Sequence, residues 1–105
     1  SYIVQVLDNL LGNASKFTHE GSVTLAYEVK KEENQLIFTV TDTGIGIPVE
    51  EQERVFERFV KLDNFSQGAG LGLSICRIVA ERLGGYLRID KGYTQGTRVI
   101  FCVSM

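Results

Sequence analysis

Leu36-Ile37-Phe38-Thr39-Val40-Thr41-Asp42-Thr43-Gly44-Ile45-Gly46 is the stretch on which the fold turns. Strict alternation puts Leu36, Phe38, Val40 and Asp42 on one side of an extended chain, which predicts a strand over Leu36–Thr41 with one face buried. The pattern breaks at Gly44–Pro48. Asp42 shares the parity of the apolar residues, so the strand carries a carboxylate to the edge of the core. A partly buried carboxylate is costly unless a donor meets it. Taken alone, Asp-x-Gly-x-Gly is equally well a turn after a strand. With a donor such as the exocyclic amine of a purine, and glycines that let a flat ring approach the backbone, it becomes a binding site.

Working outward toward the N-terminus, Val23, Leu25, Tyr27 and Val29 alternate with Thr24, Ala26 and Glu28, which predicts a half-buried strand. The charged segment Lys30–Gln35 joins it to the next as a hairpin. Before it, Ile3, Val6, Leu7, Leu10, Leu11, Ala14 and Phe17 recur at helical spacing, predicting a helix over Tyr2–Phe17. Asn13, Asn9 and Lys16 fall roughly 80°, 120° and 140° from the centre of that apolar stripe, as one polar row. Asparagine is a mediocre helix former, so two in one mid-helix row invite a functional reading beside the plain one of a solvated face.

Toward the C-terminus, Pro48, Glu50 and Glu51 suit the start of a short helix with Val55, Phe56 and Phe59 on its apolar edge. Lys61–Ala69 has no period and reads as a loop. A further helix from about Gly70 to Leu83 is expected to bury Leu71, Ile75, Ile78, Val79 and Leu83, with Gly84-Gly85 as its C-cap. Tyr86–Asp90 and Thr97–Val103 form a closing hairpin. Helix, two strands, helix, loop, helix, two strands predicts an α+β two-layer sandwich: a mixed, mostly antiparallel sheet with three helices on one face. Thr24, Glu28, Thr39, Arg88 and Arg98 supply a polar opposite face.

Composition narrows the function. The 105 residues suit one domain, 1–105, and 44% apolar with 23% charged residues is ordinary for a globular fold. Eleven Lys and Arg against thirteen Asp and Glu leave a net charge of −2, which gives no electrostatic reason to expect nucleic acid or anionic lipid as the main partner. No apolar run approaches the roughly 20 residues of a bilayer span and no signal-peptide pattern is seen; with two lone cysteines far apart in the sequence, a cytoplasmic thiol-containing domain is expected. Cys76 and Cys102 with the single His19 cannot build a four-ligand zinc site; the cysteines read as small core residues and His19 as a surface residue. Tyr27, Tyr86 and Tyr93 read as packing on or edging the sheet. Gly68-Ala69-Gly70-Leu71-Gly72-Leu73 leads straight into a helix, leaving free N–H groups at its positive end, a seat for phosphate or simply a hinge. It is neither a Rossmann fingerprint nor a P-loop.

In this order and spacing the segments resemble the ATP-binding catalytic domain of sensor histidine kinases, within the GHKL ATPase group of Bergerat-type fold. Asn9-Leu10-Leu11-Gly12-Asn13-Ala14-Ser15-Lys16-Phe17-Thr18 is similar to the N box, and Asp42-Thr43-Gly44-Ile45-Gly46-Ile47 to the first glycine box. Phe56-Glu57-Arg58-Phe59 is similar to the phenylalanine box, Gly68 through Leu73 to the second glycine box, and Gly96-Thr97 fits before the last strand.

The resemblance implies ATP and Mg²⁺ as ligands. Asp42 would accept from the adenine amine, directly or with a water beside it, and Gly44, Gly46 and Ile47 would shape the adenine floor. Thr97 would lie near the adenine end. Asn13 would ligate Mg²⁺ with Asn9 in support, Lys16 would contact phosphate, and Gly70, Leu71, Gly72 and Leu73 would offer N–H groups to the phosphates. Phe56 and Phe59 would anchor a lid over roughly Pro48–Ala69, with Arg58 or Lys61 reaching the γ-phosphate on closure. No residue in the chain is a certain catalytic group; Asn9, Lys16 and Arg58 are candidates for support.

The implied activity is a protein-histidine kinase passing the γ-phosphoryl group to a histidine on an upstream dimerisation hairpin, and on to a response regulator receiver domain. Nothing here corresponds to that histidine, and the chain is expected to lack both the hairpin and the short strand before the N box. A monomeric fragment of a homodimeric parent, possessing ATP or ADP affinity, is the expectation. The alternatives are another GHKL-type ATPase, an anti-sigma-like serine kinase, or an interaction module with a degenerate nucleotide site.

Overall fold

The computed structural model describes residues 2–17, 21–44, 50 and 73–105; for Asn13, Lys16, Phe17 and Ser74 it describes the backbone alone. Helix α1 spans Tyr2–Phe17. Its apolar stripe buries Val6, Leu10 and Ala14 on one line, with Ile3, Leu7 and Leu11 packed beside them. Strands β1 (Val23–Lys30) and β2 (Gln35–Asp42) follow. They are joined by a 3-10 turn, Lys31–Glu33, and by Asn34 in the left-handed region at φ 58°. Asparagine tolerates that conformation better than other side-chain-bearing residues. Helix α2 (Leu73–Arg82), β3 (Tyr86–Ile89) and β4 (Thr97–Ser104) complete the described elements.

The four strands lie in the order β1-β2-β4-β3, and all three pairings are antiparallel. Register puts Val40 opposite Val99, Phe38 opposite Phe101 and Leu36 opposite Val103, with Leu87 and Ile89 of β3 across from Phe101 and Val99. This is the face under the helices: α1 packs on β2 and on α2, and α2 packs on β3 and β4. Phe101 is fully buried and stacks on Phe38 with ring centroids 5.8 Å apart. Thr24, Thr41 and Arg98 share the opposite face, as do Thr39 and Arg88. Two layers are therefore established. The helix expected to start at Pro48 falls outside the described residues.

Two expectations about burial need correction. In α2 the buried line is Cys76 and Ala80, both with no exposure, flanked by Leu73, Val79 and Leu83, whereas Ile75 and Ile78 are 42% and 51% exposed. Small side chains at i and i+4 let the helix axis approach the sheet, and the larger isoleucines turn outward. In β1, only Val23 is half-buried; Leu25, Tyr27 and Val29 are exposed. The strand is at the edge of the sheet, beyond the span that α1 covers along most of its length.

The C-cap of α2 is as expected. Gly85 N–H donates to the Ala80 carbonyl (3.0 Å) and Gly84 N–H to that of Glu81 (3.1 Å). This is the doubly bonded cap whose central residue needs the left-handed region, and Gly84 has φ +81°. Both cysteines are fully buried and unpaired. Burial pushes the Cys76 thiol up to about 11 from its ordinary value of 9.0, and also raises that of Cys102, where a hydrogen bond with the Tyr86 side chain works the other way. Neither thiol is a nucleophile in this setting. No described helix is long and apolar enough to cross a membrane.

Candidate functional site

The strand parity of Asp42 places its carboxylate as foreseen. It is the buried charged residue of the described core, 6% exposed, at the last position of β2 between Val23 of β1 and Thr97 of β4. Its Oδ1 accepts hydrogen bonds from the N–H of Gly44 (2.9 Å) and of Thr97 (3.3 Å). The first closes a turn in which an aspartate side chain caps the backbone two residues on. No described group donates to Oδ2, so one oxygen fixes the carboxylate and the other remains an acceptor.

The surrounding chain is held tightly. Thr43 N–H donates to the Ser22 carbonyl (3.1 Å) and its Oγ1 accepts from Ser22 N–H (2.9 Å), tying the end of β2 to the start of β1. Gly96, at φ +153°, brings the β3–β4 loop against this point; a Cβ there would collide with the Asp42 carbonyl. The Tyr93 hydroxyl donates to that same carbonyl oxygen (3.3 Å). Arg98 lies over the Tyr93 ring at 4.3 Å from its centroid, donates from Nε to Thr41 Oγ1 (3.2 Å), and pairs with Asp90 Oδ2 (3.5 Å).

Asp42, Gly44 and Thr97, read separately from the sequence, are thus brought together. Asn9 is half-buried on α1, where its Nδ2 donates to the Gln5 carbonyl (3.1 Å). That bond orients the amide so that its oxygen has no described donor and stays available. Asn13 and Lys16 are one and two turns further along the same helix, their side chains outside the described residues. Gly46, Ile47, Phe56, Arg58, Phe59, Lys61 and the run Gly68–Gly72 are also outside them. Leu73 opens α2 and packs against the core. Sequence reasoning missed the pairing of Tyr93 with Arg98, since the contact is made between a loop and a strand and follows no period. The one available hint was a tyrosine in an otherwise polar, glycine-containing loop.

Residues 1–105, the whole chain, match the model of histidine kinase-, DNA gyrase B- and HSP90-like ATPases, and the chain belongs to this family. Within it the likeness is to the ATP-binding catalytic domain of sensor histidine kinases. Sensor histidine kinase WalK of Bacillus subtilis is 40% identical over 104 residues, covering 94% of this chain and 17% of that protein. The circadian input-output histidine kinase CikA of Synechococcus elongatus is 42% identical over 97 residues, covering 89% and 13%. The chain therefore spans less than a fifth of the length of these relatives. Among solved structures, the nucleotide-free catalytic domain of histidine kinase ThkA superposes with a TM-score of 0.84 at 33% identity, over 98% of this chain and 66% of that one. Full-length ShkA in complex with AMPPNP gives 0.82 at 34%, over 97% and 21%. ThkA in complex with the response regulator protein TrrA gives 0.74 at 29%, over 97% and 28%.

Proposed function

We propose that this chain binds ATP with Mg²⁺ and is the catalytic part of a sensor histidine kinase. It delivers the γ-phosphoryl group to a histidine on an upstream dimerisation hairpin of the same protein, from which a response regulator receiver domain takes it. In the first transfer the bond between the γ-phosphorus and the β–γ bridging oxygen breaks, a phosphorus–nitrogen bond to the imidazole forms, and ADP leaves. The chain alone is monomeric in this reading, its parent a homodimer, and the domain cytoplasmic.

The observation that carries the reading is the half-used carboxylate of Asp42. With Oδ1 occupied by two backbone N–H groups, Oδ2 is the acceptor left for the exocyclic amine of adenine. A buried acceptor without a donor costs on the order of 1–3 kcal/mol, and the amine removes that cost. Thr97 flanks the base end, and Gly44 leaves room for the ring, with Gly46 and Ile47 continuing the floor. At the other end, Asn13 with Asn9 in support would offer Mg²⁺ amide oxygens, hard neutral ligands of the kind it takes when phosphate oxygens and waters supply the rest. The available Asn9 oxygen fits that chemistry. Bound Mg²⁺ supplies charge neutralisation between the phosphates. Lys16 adds a positive charge to the phosphate oxygens, and the backbone N–H groups of Gly70, Leu71, Gly72 and Leu73 add partial ones. The chain's contribution is positioning and electrostatics, with no covalent chemistry of its own.

Isothermal titration with Mg·ATP and with ADP tests the reading. Wild type binds both, and Asp42→Asn loses binding with its circular dichroism unchanged. The asparagine keeps an oxygen for Gly44 and Thr97 but turns a donor toward the donor of the base. Retained affinity in Asp42→Asn overturns the assignment. Phosphotransfer in trans to a purified histidine-bearing hairpin separates a histidine kinase from other ATPases of the group.

A further inference from the structure

Tyr93 and Arg98 belong to neither the core nor the proposed nucleotide contacts, yet Tyr93 is hydrogen-bonded to Asp42, the residue proposed to read the base, and Arg98 lies over its ring. In register, Thr97 pairs with Asp42 on the helix-covered face, while Arg98 pairs with Thr41 on the opposite face. Arg98 therefore acts on the strand end from behind. Its guanidinium caps the Tyr93 ring (4.3 Å), reaches Thr41 Oγ1 (3.2 Å) and meets Asp90 Oδ2 (3.5 Å). Asp90 is itself fixed, with Oδ1 accepting from Gly92 N–H (3.0 Å) and its carbonyl accepting from Tyr93 N–H (3.2 Å). The phenol so held donates to the main-chain oxygen of Asp42 (3.3 Å).

We propose that Tyr93, braced by Arg98, is a positioning residue that sets the direction of the Asp42 carboxylate and thereby the selectivity for a 6-aminopurine. The inference rests on the base contact proposed for Asp42. The two N–H bonds on Oδ1 tie the carboxylate to the main-chain frame, so the aim of Oδ2 follows the Asp42 backbone. That backbone is the last position of β2, where the ladder ends, and the phenol bonds directly to its carbonyl oxygen. A hydroxyl bond of 3.3 Å is long, and its effect is correspondingly modest.

The test compares Mg·ATP with the Mg²⁺ complex of purine riboside 5′-triphosphate, which has the same sugar and phosphates but no 6-amino group. Wild type, Asp42→Asn, Tyr93→Phe and Arg98→Met are titrated with each. Wild type is expected to prefer ATP. Tyr93→Phe narrows that preference about three- to tenfold, leaving affinity for the purine triphosphate within about twofold. Arg98→Met shifts the preference in the same direction, and Asp42→Asn, which loses ATP binding, shows none. A merely structural role weakens both ligands alike, so equal losses in Tyr93→Phe overturn the inference, as does an unchanged preference. Should wild type show no preference, or Asp42→Asn keep it, the base contact itself fails and the inference goes with it.

Discussion

A carboxylate 6% exposed at a strand end survives because two backbone N–H groups satisfy one of its oxygens. The neighbouring backbone must come close to provide one of them, and Gly96 is what permits it. Gly96→Ala puts a methyl group against the Asp42 carbonyl and 2.8 Å from the Thr43 Cα, at a φ of +153° that side chains rarely adopt. Urea unfolding should show a loss of about 2–4 kcal/mol, with nucleotide affinity falling too. Cys76 makes a second residue-scale prediction. Its thiol is raised from 9.0 to about 11 by burial, so folding favours the protonated form. The resulting stability is fully present below pH 9.0 and is lost as pH rises toward about 11. The stability of wild type relative to Cys76→Ala should fall by up to about 3 kcal/mol across that window. Asp42 itself was legible in the sequence, because alternation over Leu36–Thr41 puts a charge on an apolar face. Tyr93 was not, because the bond it makes spans 51 positions and depends on loop geometry.

Among the elements, α1 was legible for a simple reason: its large apolar side chains recur at helical spacing and the buried line follows them. In α2 the largest side chains misled, since contact with the sheet is made by Cys76 and Ala80, which contribute little to an apolar pattern. The consequence for mutation is the reverse of what periodicity in size suggests. Ala80→Leu forces three further carbons between helix and sheet and should cost about 1–3 kcal/mol. Ile78→Ser, at a position 51% exposed, should cost no more than about 1 kcal/mol. Chemical unfolding of the two variants checks the order. The exposed Leu25, Tyr27 and Val29 of β1 carry a related lesson. Alternation reports which residues share a face, but neighbours decide whether that face is covered, and an edge strand has a neighbour on one side only.

For the whole molecule, strand order links the proposed base site to global stability. Alternation does not encode the order β1-β2-β4-β3, yet that order alone brings Thr97 beside Asp42 across 55 positions of sequence. Asp42 comes from β2, Thr97 from β4, and the supporting Ser22 and Val23 from the start of β1. No local segment retains this arrangement once the sheet opens, so a nucleotide gripped there binds the folded chain and not the unfolded one. Mass action then fixes the size of the effect: ligand at a hundred times its dissociation constant adds about 2.7 kcal/mol. For a domain of this size that corresponds to a rise of roughly 10–20 °C in the unfolding midpoint. Mg·ATP should produce a saturable rise of this order in wild type and none in Asp42→Asn at equal concentration. Mg²⁺ alone should produce no rise, because the amide ligands proposed for it would hold it only together with phosphate. An equal rise in Asp42→Asn would mean that the triphosphate is bound without its base being read, and would move the recognition of adenine away from the end of β2.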